Sequence, residues 1–348
     1  MKTNRCIAVS AVALAALSLA SCGSQGDAGR DQIRAVGSST VLPFAKAVAE
    51  EFAKSNAGMK APIVEGNGTG GGMKLFCGGV GAQFPDIENA SRRMKKSEFD
   101  DCQANGVKEI TEIQVGLDGI AFASDKAGPD FRLTPLIIYK ALAKTPFGKP
   151  QTAKTWKDVD PSLPAEPIMV YGPATVSGTR DALKELLLHK GCETDAATKA
   201  LKDTDKKKFD AICGDIRDDG AYADTSDNYN LIVQKLQANP KAVGIFGFSY
   251  LDENKDKLKG MTINGVAPSY DTISDFSYPG ARPLFIYVKK AHLPAIKGLK
   301  EYVAQWSQMW GKGGPLTKLG MIAAPDDVLG KSAKAASEMP NLDGSELK

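Results

Sequence analysis

Histidine is scarce in this chain, with two among 348 residues, His189 and His292. That leaves little for a metal centre built on imidazole, and no CxxC spacing supplies thiolates instead. The scarcity also weighs against a Ser-His-Asp hydrolase. His189 lies at the far end of a predicted helix, roughly 15 Å from the serine that opens it at 1.5 Å per residue. A cationic histidine near a helix C-terminus has an ordinary electrostatic explanation. His292 falls in the surface-like stretch Lys289-Lys290-Ala291-His292. Long apolar runs are missing beyond Arg34, so no segment there reads as a membrane-crossing helix. Strong charge imbalance is missing too: the formal net charge is +3. Lys2 and Arg5 carry all the charge before Cys22, and without them the chain is close to neutral. Nothing in this balance indicates a basic surface for nucleic acid or anionic lipid, and an anion binder must concentrate its charge inside a site. Aromatic residues make up only 7%, against 35 glycines, which favours backbone shape over stacked rings. There is no internal repeat.

The first residues read as a targeting segment. Lys2 and Arg5 supply a positive start, and Ile7 to Ala20 form an apolar run of signal-peptide rather than membrane-spanning length. The run ends in Leu19-Ala20-Ser21-Cys22, which resembles a bacterial lipobox. Cleavage there would leave Cys22 as a lipid-modified first residue, followed by a flexible linker over 23–32. A signal peptide cleaved to release a soluble protein is the alternative. Either way the chain is expected outside the cytoplasm, in the periplasm or at the cell surface. Of the six cysteines, Cys6 and Cys22 fall in this leader. The other four form two neighbouring pairs, and an oxidising compartment makes disulfides the expected outcome. Four cysteines allow three connectivities; Cys77–Cys102 and Cys192–Cys213 are the expected ones.

The length suggests about two domains. Ile33 to Gly37 reads as a strand, and Leu42, Ala45, Val48, Ala49 and Phe52 recur at helical spacing. Pro62 to Gly66 and Asp86 to Ala90 read as further strands, each leading through a loop into a helical stretch. This alternation predicts an α/β fold with a mostly parallel sheet. The apolar segment Gln114 to Phe122, broken by Gly116 and Gly119, is the expected crossover out of one lobe. Arg282 to Val288 is the expected return. Between them Pro167 to Tyr171 and a helix from Asp181 to Lys190 form another strand–loop–helix unit. The expected division is a first lobe of 33–117 plus 281–348 and a second of 118–280. The polar tail from Lys331 to Lys348 is expected along the surface.

Three loops between strand and helix are rich in glycine and hydroxyls: Gly37-Ser38-Ser39-Thr40, Gly66-Asn67-Gly68-Thr69-Gly70-Gly71-Gly72 and Ser177-Gly178-Thr179-Arg180-Asp181. Helix starts present unpaired N–H groups and the positive end of the macrodipole. Converging starts of this kind form an oxyanion cradle without need of lysine. Taken singly, each loop is more often an ordinary N-cap, and only the three together point to a ligand. The second run is not a P-loop, since it closes Gly72-Met73-Lys74, and its GxGxxG match is cheap among so many glycines.

These loops, with Asp86-Ile87-Glu88-Asn89-Ala90-Ser91-Arg92, Asp227-Asn228-Tyr229, Gly244 to Phe248 and Arg282 to Val288, resemble in order the signature segments of PstS-type phosphate-binding proteins. The resemblance runs from about Ile33 to the C-terminus. It implies a type II periplasmic-binding-protein fold with two lobes, a cleft and two crossover strands. It also implies high-affinity capture of inorganic phosphate, and delivery by a monomer to the membrane permease subunits of an ABC importer. No catalysis, cofactor, metal or nucleic acid is implied. The carried-over phosphate set is Ser39, Thr40, Val41, Thr69, Ser91, Ser177, Gly178 and Thr179. Two positions depart from the family pattern. Arg92 stands where an aspartate follows the serine, and Pro173 stands where an arginine precedes the Ser-Gly-Thr. Arg180 and Arg92 are expected to supply the charge from new positions, because a guanidinium fork suits two phosphate oxygens. Asp181 and Asp118 are candidate partners that hold an arginine. Asp227 is the candidate acceptor for the proton that distinguishes phosphate from sulfate. Another tetrahedral oxyanion (sulfate or molybdate) is the alternative ligand, ahead of a phosphatase-like enzyme or an adhesive surface protein.

Overall fold

The computed structural model describes residues 30–175, 177–225 and 229–348. Cys22 with its expected leader, and Asp227, lie outside the described residues. Strand β1 (Arg34–Gly37) leads to helix α1 (Leu42–Ser55), then β2 (Ile63–Gly66), α2 (Thr69–Phe76), β3 (Ile87–Ala90) and α3 (Lys96–Ala104). The long strand β4 (Ile110–Asp125) follows. After it come β5 (Arg132–Leu133), β6 (Val170–Gly172), β7 (Tyr222–Asp224), β8 (Val243–Gly247), β9 (Leu258–Gly260), β10 (Thr262–Ile263) and β11 (Ala281–Lys289).

The main sheet runs β2-β1-β3-β11-β4-β8-β6-β7, with β9 also paired to β4. Its flanks are parallel, β1 with β2 and β3, and β6 with β7 and β8. Its centre is not: β11 is antiparallel to β3 and β4, and β4 to β8 and β9. The mostly parallel sheet expected from the sequence is thus a mixed one. A chain that crosses once in each direction must run its two crossover strands in opposite senses, and these sit side by side.

β4 serves both lobes. Its first part pairs with β11 from Ile110 to Gly119, and its second with β8 from Ile120 to Ala123. One apolar core holds Val48, Phe52, Ile286, Tyr302 and Trp306. Another holds Phe122, Ile138, Trp156, Leu187 and Phe246. Burying each such large side chain contributes about 1.5–3 kcal/mol. The helical spacing predicted for α1 buries Ala45, Val48, Ala49 and Phe52. Phe52 meets Tyr302 edge-on at 5.7 Å, and the Tyr302 hydroxyl donates to Ala45 O.

Gly116 and Gly119 mark the crossover for a packing reason. A Cβ at Gly116 would come within 2.7 Å of Met321 Sδ, and one at Gly119 within 2.6 Å of Ile273. At the return crossing, Ile120 N donates to Gly280 O at 3.0 Å and the Tyr278 hydroxyl donates to Ile120 O at 2.9 Å. Both expected disulfides are formed, Cys77–Cys102 and Cys192–Cys213. The tail is not merely a surface strap: the helix Asp326–Glu338 buries Ser332 and Ala336, and Leu347 enters the small core around Met73 and Phe76.

The helix beginning at Gly178 passes through a π-helical turn, Leu183–Leu188, before His189. His189 is half-buried edge-on against Phe209, with ring centroids 5.0 Å apart. Burial, and then Lys184, push its pKa down to about 4, so it is neutral at pH 7, not the cation the sequence suggested. The unfolded chain therefore binds a proton between about pH 6.5 and about pH 4 that the folded chain does not. Stability should fall as pH drops through that window. His189→Gln should remove on the order of 2 kcal/mol of this acid sensitivity, measured by urea unfolding at pH 7 and pH 4.5.

Candidate functional site

Two of the three glycine- and hydroxyl-rich loops meet. The loop after β1 and the start of the helix at Gly178 border one cavity of about 370 Å³, lined by Ser39, Thr40, Ser177, Gly178 and Thr179 among others. Lys46, Asp118, Tyr229, Ser249 and Tyr250 complete its polar wall. The approach of the loops is close. A Cβ at Gly178 would lie 2.3 Å from both Thr40 N and Thr40 Cα, so only glycine fits there without moving the first loop.

The first loop is shaped by Ser38, which sequence reasoning passed over in favour of its neighbour. Ser38 is buried, and its Oγ accepts from Thr40 N at 3.1 Å and Val41 N at 3.4 Å. Ser38 N in turn donates to Asn89 O on β3 at 2.7 Å. In the second lobe Ser177 Oγ accepts from Thr179 N at 3.2 Å, the N-cap geometry expected of serine. The Thr179 hydroxyl is hydrogen-bonded to the Tyr229 hydroxyl.

Beneath the loops lies Arg282, at the start of β11 and only 3% exposed. Its Nε donates to Asp118 Oδ2 at 3.0 Å, and its Nη1 to Glu185 Oε2 at 3.3 Å. Its Nη2 donates to the Thr40 hydroxyl and, at 3.1 Å, to Gly178 O. Thr40 Oγ1 itself donates to Gly178 O at 3.0 Å. One guanidinium therefore ties the first-lobe loop, the second-lobe helix start and β4 together. Asp118 does hold an arginine, but that arginine is Arg282. Only a faint signal for this was legible, an arginine opening an otherwise apolar strand. Asp181, half-buried, bonds to the Ser39 side chain; burial and then Glu185 raise its pKa, against the pull of Arg282.

The remaining expected site residues stand apart from this cavity. Val41 is fully buried. Thr69 and Ser91 are buried and bonded to each other, Oγ1 to Oγ at 3.1 Å, with Ser91 N donating to Thr69 Oγ1. Arg92 grips Glu98 with both Nη groups, at 2.9 and 2.7 Å. Arg93 pairs with Glu112. Arg180 lies over the Tyr222 ring at 4.8 Å, and its Nη1 donates to Pro173 O at 3.2 Å. The charge carried at 180 is thus delivered beside position 173, where the family pattern has its arginine. Neither histidine is near: His292 is buried with Nδ1 on Asp86 Oδ1 at 2.6 Å and Nε2 accepting from Gly81 N. No group of three or more potential metal ligands occurs among the described residues.

A mixed sheet with a strand shared by two lobes, and a cavity where helix starts from both lobes meet, defines a two-lobed solute-binding architecture. The chain belongs to the PBP superfamily, whose domain matches residues 23–307. Protein SphX of Synechococcus elongatus is 36% identical over 274 residues, covering 76% of this chain and 70% of that protein. The phosphate-binding protein PstS of Staphylococcus saprophyticus is 31% identical over 340 residues, covering 92% and 93%. A crystal structure of a possible phosphate binding protein from Planctomyces limnophilus superposes with TM-score 0.71 at 29% identity, covering 88% of this chain and 98% of that one. An ABC-type phosphate transport receptor from Vibrio cholerae shares the fold, with TM-score 0.58 at 22% identity, covering 84% and 99%. The type II periplasmic-binding-protein fold expected from the sequence is the fold of this chain.

Replacing Arg282 tests the centre of the site. Arg282→Met leaves Asp118 without its buried cation, and breaking a pair of this kind costs roughly 3–5 kcal/mol. Glu185 is 40% exposed at its side chain and should contribute little of that loss. Arg282→Lys keeps the charge without the fork and should lose less. Denaturant unfolding of the two variants checks the order.

Proposed function

We propose that this chain captures inorganic phosphate outside the cytoplasmic membrane and delivers it to the permease subunits of an ABC importer. The observation that carries this reading is the junction of two hydroxyl-rich helix starts from opposite lobes over one buried arginine. Helix starts supply N–H donors and hydroxyls to an oxyanion, and Arg282, paired with Asp118 and Glu185, ties the two starts together beneath it. The relatives named as phosphate-binding proteins support the ligand class. We assign the phosphate set to Ser39, Thr40, Ser177, Gly178 and Thr179, with Val41 through its backbone N–H, and Thr69, Ser91, Arg92 and Arg180, joining as the site adjusts around the anion. Asp227 is our acceptor for the phosphate proton, and Asp181, beside Ser39, is a second carboxylate able to take that role. The lobes divide as 33–117 plus 281–348 and 118–280, so that the cleft opens about the two crossovers. We read the protein as a monomeric binder rather than an enzyme, since His189 and His292 are both held away from the cavity. Lipidated Cys22 would tether it to a membrane.

One observation favours a broader oxyanion ligand as a second reading: Arg92, paired to Glu98, occupies the place of the family's proton-reading aspartate. Calorimetric titration of the ligand-free protein with phosphate, sulfate and molybdate at several pH values separates the two, with phosphate-ester hydrolysis assayed in parallel. Phosphate should bind tightest, without ester turnover. No heat from phosphate would overturn the reading, and equal sulfate affinity would transfer it to the wider class. Arg180→Ala should weaken phosphate roughly tenfold or more, the scale of a charged hydrogen bond; unchanged binding would remove Arg180 from the site.

A further inference from the structure

Strand β3 carries a carboxylic acid where an α/β sheet normally carries an apolar side chain. Glu88 has no exposed surface, and among the described residues neither Oε1 nor Oε2 has a hydrogen-bond partner. Two glycines make room for it. A Cβ at Gly37 would come within 2.5 Å of Glu88 Oε1, and a Cβ at Gly72 within 2.1 Å of Oε2. The carboxyl is therefore wedged between the end of β1 and the first turn of α2. Gly37 leads directly into Ser38 and Thr40, and the turn containing Gly72 opens at Thr69. Glu88 thus lies immediately behind both first-lobe loops that face the anion in the reading above.

The charged groups around it do not neutralise it. Arg92, from the loop after β3, and Glu98, from α3, are bound to each other. Tyr287, its register partner on β11, is committed to Glu112. α2 presents only Lys74, on its exposed side, and β1 brings no charged group here. A carboxylate without donors in such a place is far costlier than the neutral acid.

We propose that Glu88 is a positioning residue that works as a neutral acid and sets the pH range of anion capture, because its ionisation would place a negative charge behind the turns that hold the ligand. This deepens the phosphate reading and rests on it. Burial, and then Glu98, raise the Glu88 pKa well above 4.5 against the pull of Arg92, which fits the neutral form. The sign follows from linkage. The unfolded chain releases this proton near pH 4.5 and the folded chain only at higher pH, so Glu88 weakens stability as pH rises across that interval. A bound anion disfavours the ionised form further, so affinity should also fall as Glu88 ionises.

Glu88→Gln keeps the shape and removes the titration. Dissociation constants for inorganic phosphate are measured for both proteins from about pH 6 to about pH 9.5 at fixed ionic strength. Their ratio cancels the ligand's own second ionisation. The two should agree at the acid end, and wild type should weaken about tenfold relative to the variant at the alkaline end. A ratio flat across the range overturns the proposal. Glu88→Leu carries the same measurement if the glutamine variant does not fold. Thermal unfolding of the ligand-free proteins runs alongside. Binding of phosphate by neither protein would overturn the function proposed above, and the unfolding series then decides Glu88 separately. A stability gap that grows with pH supports the buried acid, and a constant gap overturns it.

Discussion

A guanidinium with 3% exposure is stable only if its donors are met and its charge is balanced. Arg282 meets both conditions by taking partners from three parts of the chain, and those partners set the site. Its carboxylate, Asp118, is its register partner across the two crossover strands. The strongest arm of the network therefore lies within the sheet that joins the lobes. The other arms reach outward, to Thr40 in one lobe and to Gly178 O and Glu185 in the other. The crossover is both a connection and the base of the cavity. Displacing β11 against β4 would move the charge, and with it both helix starts.

The features legible in the sequence are the local ones. The periodicity of α1, the strand–loop–helix units, the crossover at Gln114 to Phe122 and the two cysteine pairs depend on residues near one another in the chain. So do the Ser177 cap and the glycines of the turns. The positions of Thr40, Ser177 and Thr179 at one cavity were readable because each loop carries its own donors. The likeness of the ordered segments to a known family added the pairing of lobes, which no local pattern encodes.

The unreadable part was set by long-range burial. Arg282 finds Asp118 and Glu185 at sequence separations of 164 and 97 residues, and neither separation leaves a local trace. Asp86-Ile87-Glu88-Asn89-Ala90 is polar at three positions of five, as an exposed or half-exposed strand would be, yet Asp86, Glu88 and Asn89 are all buried. The sheet continues on both sides of β3, between β1 and β11, so polarity alone misleads there. Ser38 and Ser39 are chemically alike in sequence, and only the turn decides which hydroxyl caps the helix start and which one lines the cavity. Arg92 reads as a free cation until α3 brings Glu98 against it.

The donors that would hold an anion are not idle. Thr40 N and Val41 N are bonded to Ser38 Oγ, Thr179 N to Ser177 Oγ, and the Thr40 hydroxyl to Gly178 O. Capture must therefore exchange partners rather than fill vacant ones. Neutral hydrogen bonds contribute about 0.5–1.5 kcal/mol net, and those to a charged group about 1.5–3 kcal/mol. The driving force is the difference between the two, multiplied over a few donors, and it disappears if the charge behind them is wrong. This links the buried Arg282, bonded to Thr40 and Gly178, to the Glu88 proposed as a neutral acid beside Gly37 and Gly72. The first holds the two helix starts in place for the exchange, and the second, as a neutral acid, adds no opposing charge. Serines that cap their own loops also keep each donor pointed and satisfied before the ligand arrives, so the exchange needs little reorganisation of the backbone.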